Sequence, residues 1–177
     1  MISMLRSLIK INHKNKLKLY VLQVSIATLA LFAVLLAEQL IADGIAARAV
    51  VVAAIASTAF VLFISPFSSS ATPRHTFGGH LIAVLVASPM GLIADTNVGA
   101  ELIAEIPAIF ALYAALGVGI TMFFMAATNT EHPPAAGTAL AIIAHGFSWD
   151  LIVFLGTAVI ILIAVQRACR SKLIDLY

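Results

Sequence analysis

Charge is what this chain has least of. Ten Lys and Arg with eight Asp and Glu make up only 10% of its 177 residues, whereas a soluble domain carries about a quarter. With 62% of the residues apolar, an ordinary water-soluble globule is excluded. A net charge of +2, with no basic stripe interleaved with aromatics, excludes a nucleic-acid partner. The single cysteine, Cys169, excludes an internal disulfide framework and any Cys-rich metal site. Metal ligation by histidine is not expected either. His75 and His80 are five apart rather than three or four, and His13, His132 and His145 lie in other segments. No nucleophile, base and orienting acid occur together. The one adjacent acid–histidine pair, Glu131-His132, points its side chains apart in extended backbone, so no enzyme and no cofactor are expected.

What is present is long apolar runs. Lipid offers the backbone no hydrogen-bond partner, so a crossing needs a helix of about 20 apolar residues. Six segments qualify or nearly do: Leu19–Ala37, Arg48–Ile64, Gly78–Ile93, Pro107–Ala127, Pro133–Ala144 and Trp149–Val165. The third and fifth are short. The expectation is an all-α polytopic transmembrane bundle of about six segments, with four full spans and two short or broken helices as the alternative. Residues 1–18 read as a basic amphipathic arm, 19–166 as the transmembrane domain and 167–177 as a basic tail. An uncleaved first span is expected rather than a signal peptide, because no clear A-x-A site follows Ala37.

Lys and Arg resist translocation, so their distribution orients the spans. With the N-terminus inside, Arg6, Lys10, Lys14, Lys16, Lys18, Arg74, Arg167, Arg170 and Lys172 all fall inside, and Arg48 alone falls outside. Both termini are therefore expected in the cytoplasm, in a membrane of the prokaryotic cytoplasmic type.

The chain also repeats itself. An apolar segment, an irregular Pro-containing loop and a segment opening with small residues occur twice, once around Pro73-Arg74-His75 with Gly78-Gly79-His80, and again at Thr128 through Leu140. Both loops fall on one side, so the repeat is parallel, a plan known among transporters. The blander reading, that any Ala- and Gly-rich membrane protein resembles itself, stands beside it. In the second unit His132 precedes Pro133 and Pro134, which suit the first turn of a helix. Ala135, Ala136 and Gly137 then allow close backbone approach, as Gly78 and Gly79 do before His80.

Two helix N-termini facing each other would outline an anion site. Because prolines remove two donors, such a site relies on the N–H groups of Ala135 to Gly137 and on side chains: Arg74, His75 and Ser68 to Ser70 from one loop, Asn129, Thr128, Thr130 and His132 from the other, with Thr138 just beyond. The span interiors hold no Asp, Glu, Lys or Arg, only residues such as Gln23, Thr58, Ser88 and Thr121. That lining suits an anion or a small neutral solute better than a cation. The structural alternative makes Arg74 a topology anchor, the prolines a helix-start device and the hydroxyls packing residues that bond to their own helices.

Glu131-His132-Pro133-Pro134-Ala135-Ala136-Gly137-Thr138-Ala139-Leu140 resembles the signature of the HPP family of integral membrane proteins. Ala56-Ser57-Thr58, Phe60–Ser65 and the Pro73-Arg74 and Gly78-Gly79-His80 pairings resemble that family's upstream unit, so the likeness covers most of residues 20–165. One departure is the order Ala136 then Gly137, where the family more often has glycine directly after the first alanine. The resemblance implies a small bundle of four or more spans with a transport role, and plastid and cyanobacterial relatives are associated with nitrite. The expected function is therefore a transporter or channel-like carrier of a small inorganic anion, nitrite first, acting as a homo-oligomer in the lipid bilayer. A non-transporting assembly or regulatory subunit is the alternative.

Overall fold

The computed structural model describes residues 13–41 and 49–176. Arg6, Lys10 and Arg48, and most of the arm assigned to residues 1–18, lie outside the described residues. Among those described, the chain is helical throughout: α1 (His13–Ile41), α2 (Ala49–Ile64), a 3-10 turn (Ser69–Ala71), α3 (Pro73–Ala94), α4 (Asn97–Glu105), α5 (Pro107–Thr128), α6 (Pro133–His145), α7 (Trp149–Cys169) and a final 3-10 turn (Arg170–Lys172). Four stretches are long and apolar enough to cross a membrane: Lys18–Leu36, Pro73–Ala94, Ala108–Thr128 and Trp149–Lys172. The 16-residue α2 and the 13-residue α6 are shorter. Among the described residues this is an all-helical membrane bundle of seven helices, four of them with long apolar stretches.

The third segment departs from its expected bounds. It begins at Pro73 rather than Gly78 and reaches 22 residues, so the short partner of α6 is α2. The cause is a helix start of its own. Thr72 is extended and its hydroxyl accepts the His75 N–H, while Pro73 occupies the first helical position, where its missing N–H costs nothing. Gly78 and Gly79 therefore sit in the second turn, not at the helix start. A second departure is α4, since residues 97–105 read as loop; Thr96 caps them by accepting the Gly99 N–H at 3.1 Å.

The short helices lie inside. α6 packs against α3, α2 and α5, and α7 closes the other side against α2, α1 and α3. Seven residues of α6 are buried, among them Ala135, Thr138, Ala139 and Ile142, and Val51, Ala54, Ile55 and Leu62 of α2 are as well. Helices in lipid associate by close packing of small side chains, since tails offer no hydrophobic drive. The contacts have that form. A Cβ on Gly137 would lie 3.3 Å from the Cβ of Ala54, and one on Gly91 would lie 2.9 Å from the Ile142 carbonyl. Ala54 and Ala114 are likewise buried within the chain.

One end of the bundle is tied together by the C-terminal segment. Leu176 donates its N–H to the Ile64 carbonyl at 3.0 Å, Phe67 donates to the Asp175 carboxylate at 3.2 Å, and Arg170 lies 5.0 Å over the Phe67 ring. Gln23, fully buried about three turns into α1, donates to the carbonyls of Phe63 and Ile174 and accepts the Ile174 N–H. The end of α2 and the turn after it thus meet Gln23 of α1 and the C-terminal segment.

Candidate functional site

The site is built where the two helix-opening turns touch. After α5, Asn129 adopts the left-handed conformation (φ 53°, ψ 54°), which asparagine tolerates better than most residues, and reverses the chain. His132 follows in extended geometry as the residue that opens α6. The α5–α6 turn then lies against the second turn of α3: a Cβ on Gly78 would meet the Thr130 methyl at 2.7 Å, and one on Gly79 would meet the His132 Cβ at 2.7 Å. The two glycines let a loop, rather than a ligand, approach the helix.

The backbone donors expected to face an anion are already engaged. Pro133 and Pro134 have none, and Ala135 donates to the His132 carbonyl at 2.9 Å. Ala136 and Gly137 occupy positions whose N–H groups have intrahelical partners. At the start of α3, His75 donates to the Thr72 hydroxyl and Thr76 to the Thr72 carbonyl. The side chains around these starts are partly spoken for as well. Arg74 is exposed and donates to the Thr128 carbonyl at 3.1 Å, placing its charge at the negative end of α5. His75 bonds the Thr72 hydroxyl at 2.7 Å through Nδ1 and lies 3.5 Å from the Glu131 carboxylate through Nε2. Asn129, Glu131 and Pro133 are exposed, whereas Pro134 and Ala135 are buried.

Deeper in, the turns enclose a polar cluster. His80 is 3% exposed, and Thr58, His132 and Thr138 are fully buried. His132 Nδ1 lies 2.8 Å from the Ser70 carbonyl and its Nε2 3.2 Å from Thr58 Oγ1. Thr58 Oγ1 is also 3.0 Å from His80 Nε2 and 2.9 Å from the Ala54 carbonyl, while His80 Nδ1 is 3.0 Å from Thr138 Oγ1. The imidazole centroids are 5.2 Å apart. A carbonyl only accepts, so His132 carries its proton on Nδ1 and presents a bare Nε2 to Thr58. Burial holds His132 well below the usual histidine range, to about 4; the Ser70 carbonyl opposes that shift and nearby His75 adds to it.

Ser70, expected through its hydroxyl, enters the site through its backbone carbonyl, and Thr58 is the residue whose place in the site no local pattern announces. Thr58 lies 22 residues before His80 and 74 before His132, and in sequence it is one hydroxyl among several in apolar helices. A crevice of about 170 Å³ between α3 and α7 borders His80 and is otherwise apolar, walled by Phe77, Leu81, Val84, Leu155 and Val159. Among the described residues, no three His, Cys, Asp or Glu side chains converge as a metal site would require.

Comparison with known proteins agrees with these motifs. The family described as HPP, transmembrane region, matches residues 12–171. A transmembrane protein of Dictyostelium discoideum is 28% identical over 138 residues, which are 72% of this chain and 45% of the relative. The chain thus spans a little under half the length of that curated relative. No solved structure matches it significantly.

Proposed function

This chain belongs to the HPP transmembrane-region family of integral membrane proteins, and on that premise we propose that it is a transporter or channel-like carrier of a small inorganic anion, with nitrite as the first candidate. The observation that carries the reading is the meeting of the α2–α3 and α5–α6 turns around a buried imidazole pair in an otherwise apolar bundle. Since the backbone donors are engaged, binding falls to side chains. Arg74 and His75 attract the anion at the surface, and His132, His80 and Thr138 offer polar groups further in. In this reading both termini face the cytoplasm, the chain assembles with copies of itself, and it performs no catalysis.

Uptake into proteoliposomes tests this. Saturable nitrite entry that falls at least about fivefold in Arg74→Ala supports it, a loss of about 1 kcal/mol at one charged contact. Absence of any saturable nitrite or nitrate entry overturns it. The second reading is a non-transporting assembly or regulatory subunit. It is favoured by the Thr72 cap on α3 and the Ala135 bond to the His132 carbonyl at the start of α6, so that the cluster serves as an internal fastener between α2, α3 and α6. Co-purification with one stoichiometric partner would support that reading.

A further inference from the structure

We propose that Thr58, His80 and His132 form a site for a single proton, in which the Thr58 hydroxyl turns between two acceptors to accommodate it. The hydrogens can be counted. In the neutral cluster the Ser70 carbonyl fixes the His132 proton on Nδ1, so the bare Nε2 must accept from Thr58. Thr58 has one hydrogen. Its oxygen then serves His80 only as an acceptor, which places the His80 proton on Nε2 and leaves Nδ1 to accept from Thr138. Every member is satisfied, and all the bonds run in one direction, from Thr138 to the Ser70 carbonyl. The two imidazoles are held as opposite tautomers.

A second arrangement fits the same heavy atoms. The Ala54 carbonyl lies 2.9 Å from Thr58 Oγ1 and has no use in the neutral chain of bonds. When a proton adds to Nε2 of His132, the Thr58 hydroxyl turns to that carbonyl, and its two lone pairs accept Nε2–H from both rings. No bond is lost. The charged ring keeps two acceptors, the Ser70 carbonyl and Thr58, and its N–H bonds strengthen on charging. A second proton has no such provision, because the rings are 5.2 Å apart and two imidazolium charges would repel within a low-dielectric interior.

The charged and titratable groups around the cluster are few. Arg74 and His75 come from α3 and Glu131 from the α5–α6 turn; α2 and the 65–72 turn contribute none. Tyr113 of α5 is engaged toward the opposite end, with the Met90 carbonyl, and His145 and Asp150 lie at the far ends of α6 and α7. Arg170 and Asp175 are bound around Phe67. The consequence for coupling, one proton carried or stored per anion, rests on the transport reading. The site itself does not.

The test is nitrogen NMR of 15N-histidine-labelled full chain in lipid nanodiscs across pH, read without any transport measurement. At neutral pH, one buried histidine in the Nδ1–H form and one in the Nε2–H form are expected, with His132→Gln and His80→Gln assigning which is which. On acidification His132 is the one of the two buried rings that becomes charged. Thr58→Val removes both the donor to the neutral ring and the acceptor of the charged one; the latter bond is the stronger, so proton affinity at His132 falls about tenfold. Thr58→Ser restores it. Matching tautomers, simultaneous titration of both rings, or a Thr58→Val curve superposing on the parent overturns the proposal. Should Thr58→Val not fold, the parent tautomers and the Thr58→Ser titration decide alone. Absent uptake alongside the expected titration rejects transport and leaves the proton site standing.

Discussion

The two helix pairs that meet at the cluster, α2–α3 and α5–α6, use the same parts in opposite proportions. In the first, short α2 precedes long α3; in the second, long α5 precedes short α6. In both, the short helix is the inner one. α2 and α6 bury seven residues each, whereas α5 leaves Leu112, Leu116, Ile120, Phe123 and Phe124 exposed, and α3 leaves Leu81, Leu85 and Leu92 exposed. Helices of 16 and 13 residues rise only about 24 and 20 Å at 1.5 Å per residue, less than a hydrocarbon core of about 30 Å. Shielding by longer neighbours lets such helices end early, and polar turns then reach inward beside them. The imidazole cluster occupies the region this creates, with Thr58 on α2, Thr138 on α6 and His132 at the turn between long and short.

Filling the seam between the two pairs tests this contrast most severely. A valine at Gly79 would drive side-chain carbon into the His132 Cβ and the Thr130 carbonyl, at 2.7 and 3.0 Å already for a bare Cβ. Neither the backbone carbonyl nor a ring held by Ser70 has room to withdraw. Gly79→Val is expected to cost about 2–3 kcal/mol, the upper range for overpacking. It should lower the thermal unfolding midpoint in detergent more than His132→Gln or a change at Gly119 does. An unchanged midpoint would mean that the α5–α6 turn does not press on α3.

Acid is the next probe, and in the polar region it acts through the buried His132 ring. His132 is held at about 4 in the folded chain against 6.5 for a free imidazole. The unfolded chain therefore binds more protons between those values, and stability rises with pH across that window. The contribution is complete above about pH 6.5 and is lost as pH falls toward about 4. The thermal midpoint should drop over this range, and His132→Gln should flatten that part of the profile. A parent profile indistinguishable from that of His132→Gln would show that burial does not keep this ring neutral.

Much of the architecture can be read from residues alone, for reasons that differ by element. Pro107 and the Pro133-Pro134 pair mark the starts of α5 and α6 because proline is favoured in the first turn of a helix, although Pro89 lies inside α3. The start of α3 is harder to read, although Pro73 marks it in the same way. Gly78-Gly79 looks like a break in a one-dimensional pattern, and only the packing of Thr130 and His132 against it reveals glycines kept within a helix. The same limit governs the site. His132 and His80 stand out by type and motif, but Thr58 joins them through pairing across 74 and 22 residues, which no periodicity encodes. The free donors expected at the α6 start are not found there, because the Ala135 bond to His132 follows from how tightly the first turn closes.

The smallest expected effect concerns the lipid-facing side of the long helices. On α5, Gly117 faces inward, where an added Cβ would meet the flexible ends of Ile143 and Met90, but Gly119 has nothing within 4 Å of that position. Lipid should be its only neighbour unless another copy of the chain packs there. Gly119→Ala then adds no clash and removes the helix penalty of glycine, so stability should stay level or rise by up to about 1 kcal/mol. Gly119→Leu separates the two cases, because lipid accommodates a larger side chain whereas a partner helix in close contact cannot. Unchanged molecular mass in nanodiscs for both variants would remove this face as an assembly surface. Loss of an oligomer in Gly119→Leu alone would place the second copy against α5, on the long outward helix and away from the buried imidazoles.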